Sequence, residues 1–396
     1  MALSYIDQAD LTDKVVIARF DFNVPLDKED KSKINDTTRI DNALDTINYI
    51  LENGAKKLIL MSHLGRPKGE RNMDYSLEPV ATYLASQLND DVILSESCTD
   101  RGIKTLLTLN ESKVILLENL RFHPEETTND RSFAQALSKY ADIYVNDAFG
   151  AAHRKHASTY GINEFFNKKA YAGFLIKKEL EALAKVSESP KRPFVAIVGG
   201  AKVSDKIKII ERLLVSVDSL LIGGAMAYPF LMAKGFNVGK SLCSDEDVSL
   251  AKKILKEKTA GKISLPVDHI GSTEFGGEAT NIDKEDISDD FMGLDIGPRT
   301  VELYSSKIKD AQTILWNGPM GLFENDDFAN GTLKIAKALA DSNAFTLIGG
   351  GDSVSAVNKS GLASKMSHIS TGGGASLEFI EKGSLPGIQA LKFGLN

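Results

Sequence analysis

Five short apolar runs in the second half of this chain each break into glycine. Residues 194–198 lead to Gly199-Gly200, 219–222 to Gly223-Gly224, 313–316 to Asn317-Gly318, 345–348 to Gly349-Gly350-Gly351, and 368–371 to Gly372-Gly373-Gly374. Runs this short and apolar suit parallel strands buried on both faces. Asp352 and Ser353 follow the Gly349 turn as good N-cap types, and residues 354–359 can continue as helix. Parallel strands joined by helices bring all their carboxyl ends to one sheet edge, where ligands of such sheets bind. Glycine lets backbone approach a ligand closely, and the free N–H groups of helix starts attract anions. Lys202 and Lys206 follow the first glycine pair, so this edge suits a polyphosphate. Their four-residue spacing predicts one helical face for both. A single glycine pair after a strand is an ordinary turn; five at one edge need more than turns to explain them.

The first half has a different punctuation. Residues 15–18 run into Arg19-Phe20-Asp21-Phe22-Asn23, and 57–61 into Ser62-His63-Leu64-Gly65-Arg66. Residues 113–117 run into Glu118-Asn119-Leu120-Arg121, and 142–145 into a loop carrying His153, Arg154 and His156. Helices are predicted over 39–51, capped by Asp36 or Thr37, and over 77–88 and 132–140. Eight of the eleven arginines lie in the first 154 residues, and Arg19, Arg66, Arg121 and Arg154 converge on one sheet edge. The guanidinium fork matches carboxylate and phosphate, so the ligand expected here is small, anionic and phosphorylated. Asp21 and Asn23 can accept hydrogen bonds from its hydroxyl. Arg71 and Arg131 read as surface residues, and the histidine spacing fits no zinc site.

At 396 residues the chain is too long for one ordinary core. An amphipathic helix predicted over 171–186, followed by a segment with Pro190 and Pro193, marks the domain boundary. A net charge of −7 disfavours nucleic acid as a partner. Cys98 and Cys243 form neither a disulfide framework nor a CxxC site and suit a reducing compartment. The start of the chain has no basic, apolar leader, and no run reaches membrane-spanning length, so a cytoplasmic protein is expected. Gly235 to Ser241 imitates a phosphate-binding P-loop but has one residue too few between its glycines and follows a helical run. No dinucleotide fingerprint is present, which weakens the rival reading of a nicotinamide dehydrogenase. A third reading is an anion-binding protein without catalysis.

One edge for a small anion and one for a nucleotide point to phosphoryl transfer, which depends mainly on positioning and on cationic charge. The loops offer no evident general base. None is needed if the acceptor is a carboxylate, already ionised at neutral pH.

These loops also carry a resemblance. Arg19-Phe-Asp-Phe-Asn-Val-Pro, Ser62-His-Leu-Gly-Arg-Pro, Glu118-Asn-Leu-Arg-Phe-His, Gly199-Gly-Ala-Lys-Val-Ser-Asp-Lys, Trp316-Asn-Gly-Pro, Gly349-Gly-Gly-Asp and Ser370-Thr-Gly-Gly-Gly-Ala-Ser make the chain resemble the phosphoglycerate kinase family almost throughout. The resemblance implies an α/β architecture of two doubly wound parallel-sheet, Rossmann-like domains joined by a hinge helix. Residues 1–170 would bind phosphoglycerate, with 385–396 returning to them; 171–187 would form the interdomain helix and 188–384 the nucleotide domain. The implied enzyme is a cytoplasmic, monomeric glycolytic kinase. It would move a phosphoryl group reversibly between 1,3-bisphosphoglycerate and ADP, giving 3-phosphoglycerate and ATP, with Mg²⁺, in a closing interdomain cleft.

By the same resemblance Asp21, Phe22, Asn23, Arg39, His63, Leu64, Gly65, Arg66, Arg121 and Arg154 bind the phosphoglycerate. Arg39 and Lys202, with Gly350 and Gly373, stabilise the phosphoryl group in transfer. Lys206, Gly223, Gly224, Gly293, Asn317, Leu322, Glu324, Gly350, Gly351, Asp352 and Ser353 hold the nucleotide, Glu324 at the ribose and Asp352 also at the metal. Three positions depart from the family pattern: Ser353 where Thr is usual, Ala225 where a third Gly is usual, and Pro229 just after that turn. They bear on the adenine pocket rather than on the reaction.

Overall fold

A computed structural model describes residues 2–99, 102–108 and 112–395; Met1 and Asn396, the ends of the expected first domain and its returning segment, lie outside the described residues. The chain divides into one unit of Met1–Glu181 with Ser384–Asn396 and a second of Ala182–Gly383. The division falls within the helix Phe174–Ser187.

The first unit is built on strands β1 (Val15–Arg19), β2 (Lys57–Met61), β3 (Val92–Leu94), β4 (Val114–Leu116), β5 (Ile143–Asn146) and β6 (Ala170–Ala172), in the order β3-β4-β2-β1-β5-β6 and parallel throughout. Every residue of β2 is buried, as expected of a strand covered on both faces. Each such Ile or Leu contributes about 1.5–3 kcal/mol by leaving water. Just past β1 the rings of Phe20 and Phe22 stack at 5.4 Å within the core.

Two helices differ from expectation. The run over 39–51 is two helices, Thr38–Asp41 and Leu44–Glu52, and it is the Asp36 carboxylate that accepts from the Thr38 N–H at 2.9 Å. The helix expected from residue 171 begins at Phe174, because Tyr171 and Ala172 belong to β6 and pair with Val145 and Asn146. Three residues fit either period, so only the pairing partner decides. Asp147 fixes the change of direction. Its carboxylate accepts from Thr46 Oγ1 at 2.6 Å and from the Ile176 N–H at 2.9 Å, while Thr46 Oγ1 accepts from the Phe174 N–H at 2.9 Å. A side chain at Gly173 would overlap that carboxylate. Burial pushes the Asp147 carboxyl up to about 7, against the hydrogen bonds it accepts.

The second unit has strands β7 (Phe194–Val198), β8 (Ser219–Ile222), β9 (Ile263–Ser264), β10 (His269–Ser272), β11 (Thr280–Ile282), β12 (Met292–Ile296), β13 (Thr313–Asn317), β14 (Phe345–Ile348) and β15 (His368–Ile369). Its main sheet runs β15-β14-β13-β7-β8-β9, all parallel. All five glycine turns therefore leave one edge. A separate antiparallel sheet, β11-β10-β12, was not foreseen; its short strands carry glycine and little alternation. The last helix, Pro386–Phe393, packs in the first unit, where the Gly387 N–H donates to the Ala152 carbonyl at 2.8 Å.

Asp147→Ala strands the Thr46 hydroxyl and a helix N–H inside the first unit. It is expected to destabilise the protein by about 1–3 kcal/mol, read as a lower denaturant midpoint; an unchanged midpoint would show that the carboxylate holds nothing.

Candidate functional site

In the first unit β1, β2, β4 and β5 lie side by side and parallel, so their following loops share an edge. Arg19, expected there as a ligand-facing arginine, is instead the wholly buried last residue of β1. Its Nε donates to Ser158 Oγ at 2.9 Å, its Nη2 to His63 Nδ1 at 3.0 Å, and its Nη1 to the Phe20 carbonyl. A strand covered on both faces leaves its final side chain no path to solvent. Ser158 in turn donates from Oγ to Glu126 Oε1 at 2.7 Å.

The neighbouring residues do gather. Arg39 pairs with Asp21, and Asn23 Oδ1 accepts from the Gly65 N–H at 2.8 Å. Gly65 has φ +60° and lies against the Tyr75 ring, so only glycine fits. Arg121 donates from Nη1 to the Gly65 carbonyl at 2.7 Å, while its buried Nε has no partner. Phe22 and Leu64 turn their side chains into the core and offer only backbone groups. A cavity of about 410 Å³ is lined by Arg66, Lys68, Arg121 and Arg154 with Gly69, Pro124 and Thr127. That lining holds four cations and no acid.

Sequence reasoning missed the supports. Glu118 accepts from Leu77 N–H, Asn119 N–H and the Ser76 hydroxyl at 2.7–2.9 Å. Asn119 donates to the carbonyls of Leu64 and Tyr75 and accepts from the Arg121 N–H. Both lie just before Arg121 in sequence, but their partners at Ser76, Leu77, Leu64 and Tyr75 are some forty residues away or more.

Cationic charge outweighs acid in this region, where Glu126 and Asp21 oppose it only in part. Burial, then the charges of Arg19 and Arg154, lowers the Arg121 guanidinium to about 10. Burial, then Arg19, Arg121 and Arg154, brings His156 down to about 3. Burial, then Arg19, Arg121 and Arg39, holds His63 well below its usual value. His63 is therefore neutral, and its 3.9 Å approach to Asp21 is not an ion pair. The histidines surrender their charge where the arginines cannot, and a bound anion relieves both.

In the second unit Lys206 reaches back to the Gly199 carbonyl at 2.7 Å and the Asn317 carbonyl at 3.2 Å, tying two glycine turns together. Burial lowers its ammonium to about 8, opposed by Asp352 and Asp205. Lys202 is exposed. The expectation of one helical face is corrected: the helix starts at Ile207, with Lys206 as its N-cap, and the chain before it is turn.

Trp316 Nε1 donates to the Gly318 carbonyl at 2.7 Å, and the Gly318 N–H donates to the buried Ser353 hydroxyl. The hydroxyl expected at the nucleotide is thus used in closing the loop. Asn317 donates from Nδ2 to the Gly349 carbonyl at 2.7 Å, leaving its buried Oδ1 without a partner. Asp352 is exposed in the first turn of the helix Gly351–Lys359.

An open cavity of about 400 Å³ brings together Gly224, Gly293, Leu322, Glu324 and Asp352. Gly223, Asn317, Lys206, Gly350, Gly351, Ser353 and Gly373 are not in its lining. Gly224 needs φ +63°, whereas Ala225 keeps φ below zero and lines the cavity without strain. Pro229 is the third residue of the helix Ala227–Ala233, in the first turn, where an N–H has no intrahelical partner. Met292, Leu242 and Phe275 also line the cavity; none was foreseen. Met292 and Gly293 arrive on β12, whose Leu294 carbonyl accepts from the Leu322 N–H at 2.8 Å.

The sequence was compared with known proteins. The family model for phosphoglycerate kinase matches residues 6–383. A phosphoglycerate kinase of Anaeromyxobacter sp. (strain Fw109-5) is 53% identical over 399 residues, covering 99% of this chain and 100% of its own. One from Clostridium botulinum (strain Hall) is 49% identical over 393 residues, covering 98% of each. The solved phosphoglycerate kinase structure from Coxiella burnetii is 39% identical, with a TM-score of 0.89 and 99% of each chain covered.

The charge balance in the first unit has a pH signature. His156 takes up its proton near pH 6.5 when unfolded but only near pH 3 when folded, so the unfolded state binds more protons in between. Its contribution to stability is full above about pH 6.5 and is lost as pH falls towards 3. Urea unfolding of His156→Gln should show a shallower loss of stability over that window than the parent chain. Equal slopes would show that His156 carries no such linkage.

Proposed function

The chain belongs to the phosphoglycerate kinase family, and from that premise we propose how its residues divide the transfer of a phosphoryl group between 1,3-bisphosphoglycerate and ADP. The observation that carries the division is the cavity of Arg66, Lys68, Arg121 and Arg154, with no acid in its lining. It takes the phosphate of 3-phosphoglycerate by charge-assisted hydrogen bonds. Asp21, Asn23 and His63 meet the hydroxyl and carboxylate end, with Arg39 alongside, and Phe22, Leu64 and Gly65 shape the loops that hold them.

The nucleotide occupies the second unit. Gly293 and Leu322 frame the base and Glu324 meets the ribose. Gly350, Gly351 and Ser353 offer backbone amides to the phosphates beside Lys206 and Asn317, while the turn at Gly223 and Gly224, whose N–H groups are given to the Val198 and Met320 carbonyls, helps to frame the base. Asp352 is the carboxylate that would share Mg²⁺ with those phosphates; bound there, the ion would neutralise phosphate charge. The donor set fits an ion shared with phosphate, because Asp352 is an exposed carboxylate oxygen donor in the lining of the second unit's cavity.

The carboxylate of 3-phosphoglycerate needs no base, and neutral His63 is not asked to be one. Lys202 and Arg39, with the amides of Gly350 and Gly373, stabilise charge spread over the phosphoryl group in flight. Closure of the two units on their substrates would exclude water and limit hydrolysis of ATP. One copy carries both sets of residues, so the enzyme works as a monomer. Two free cysteines, Cys98 and Cys243, agree with a cytoplasmic location. Among the described residues no helix is long and apolar enough to cross a membrane.

Single substitutions test the division. Arg121→Ala should weaken phosphoglycerate by about 1.5–3 kcal/mol, roughly tenfold to a hundredfold, and leave the ADP KM nearly unchanged. Lys202→Ala should lower kcat with little loss of nucleotide affinity, as for a contact made mainly in the transition state. Equal effects of Arg121→Ala on both substrates, or lost nucleotide affinity with kcat preserved in Lys202→Ala, would sink the assignments.

Lys206 supplies a pH test. Its ammonium sits at about 8 in the free protein, and phosphate beside it favours the charged form. ADP binding at about pH 9 should therefore take up protons, and affinity should fall as pH rises through that range. Calorimetry in buffers of different ionisation enthalpy measures the uptake; none at that pH, or equal uptake by Lys206→Met, would count against Lys206 as the phosphate contact.

A further inference from the structure

The arginine that the strand withholds from the substrate has an effect of its own. We propose that Arg19 is a positioning residue that fixes His63 as the Nε2–H tautomer, so that His63 meets the anionic substrate only as a hydrogen-bond donor. The inference rests on the substrate-site reading above.

Arg19 Nη2 lies 3.0 Å from His63 Nδ1. A guanidinium has donors only and keeps its charge in proteins, so Nδ1 must be the lone-pair nitrogen. The single proton of a neutral imidazole then sits on Nε2. That nitrogen makes no hydrogen bond within the protein among the described residues, and it is free to donate to a ligand.

The opposite tautomer has a sponsor in Asp21, whose Oδ1 lies 3.9 Å from the same Nδ1. Asp21 is instead paired with Arg39, and Arg19 holds the shorter contact. Arg19 cannot swing away. Its Nε is held by Ser158 Oγ at 2.9 Å, and Ser158 is held by both oxygens of buried Glu126, through Oγ at 2.7 Å and N–H at 3.0 Å. The chain Glu126, Ser158, Arg19, His63 thus runs from a buried carboxylate to one imidazole nitrogen. Arg121, Arg39 and His156 also face His63 and oppose the doubly protonated ring. If Nδ1 carried the proton, the ring would turn a lone pair towards an anion. The fixed tautomer converts that repulsion into a donor contact without burying another charge.

Nitrogen NMR reads the tautomer directly. In ¹⁵N-histidine-labelled protein, two-bond proton–nitrogen correlations separate protonated from unprotonated ring nitrogens, and His63→Gln identifies the His63 signals by their loss. The expected pattern is a bare Nδ1 and a protonated Nε2, unchanged between about pH 7 and pH 5, below the ordinary histidine value. A protonated Nδ1, or an averaged pair, overturns the inference and leaves the substrate-site reading intact. In Arg19→Met the pattern should shift towards Nδ1–H; a folded Arg19→Met protein that keeps a pure Nε2–H ring also overturns it.

A second pair of variants stands even if Arg19→Met does not fold. The amide nitrogen of Gln reaches the position of Nε2, whereas that of Asn reaches only Nδ1. His63→Gln should therefore bind 3-phosphoglycerate about tenfold or more tightly than His63→Asn, the loss typical of one charge-assisted hydrogen bond, with ADP binding equal in both. Equal 3-phosphoglycerate binding by the two variants overturns the donor role. Binding as tight as the parent chain in both removes His63 from the substrate site, and with it the reading on which the inference rests.

Discussion

Two guanidinium groups, those of Arg19 and Arg121, are buried in the first unit with no carboxylate in contact among the described residues. A buried charge costs several kcal/mol unless it is paired and hydrogen-bonded. The surroundings answer that cost piecemeal. Carbonyls of Phe20 and Gly65 accept from the forks, Ser158 relays Glu126 to one of them, and the nearby histidines stay neutral. What remains unmet is the attraction of an anion, which only a ligand supplies. The same excess explains why the loops are so heavily tied by Glu118 and Asn119: repelling cations stay in register only if their backbone is held.

The cavity of the second unit carries less cationic charge in its lining. That unit's helix starts at Gly351 and Gly374 present backbone N–H groups, and the enclosed Lys206 ties two of its glycine turns together, at Gly199 and Asn317. Lys206 thus belongs to the scaffold of the glycine edge as well as to its charge, whereas exposed Lys202 is bound by no such contact. The two lysines thus differ in restraint, one enclosed and hydrogen-bonded and the other exposed. The antiparallel sheet contributes the apolar side of the cavity through Met292 and Gly293, far in sequence from the glycine turns it faces.

The sequence by itself determined the two parallel sheets, the edge from which each loop leaves and the residue types delivered there. Those follow from short-range physics: apolar runs of strand length, helical periodicity between them, and glycine or arginine at each strand end. The tertiary structure alone decided which of those side chains face a ligand. Arg19 and Ser353 carry the right chemistry in the right loops, yet one is enclosed by the sheet's covering layers and the other closes a turn. Tyr171 was read as helix until a parallel neighbour claimed it. Lys206 left the helical face of Lys202 because the helix begins only at Ile207 and the chain between the two lysines is turn. Asn119, Glu126 and Ser158 gave no local signal, because a buried polar residue is defined by partners distant in sequence. Burial and pairing are properties of the assembled fold, so they decide the protonation of His63, His156 and Lys206 where sequence spacing is silent.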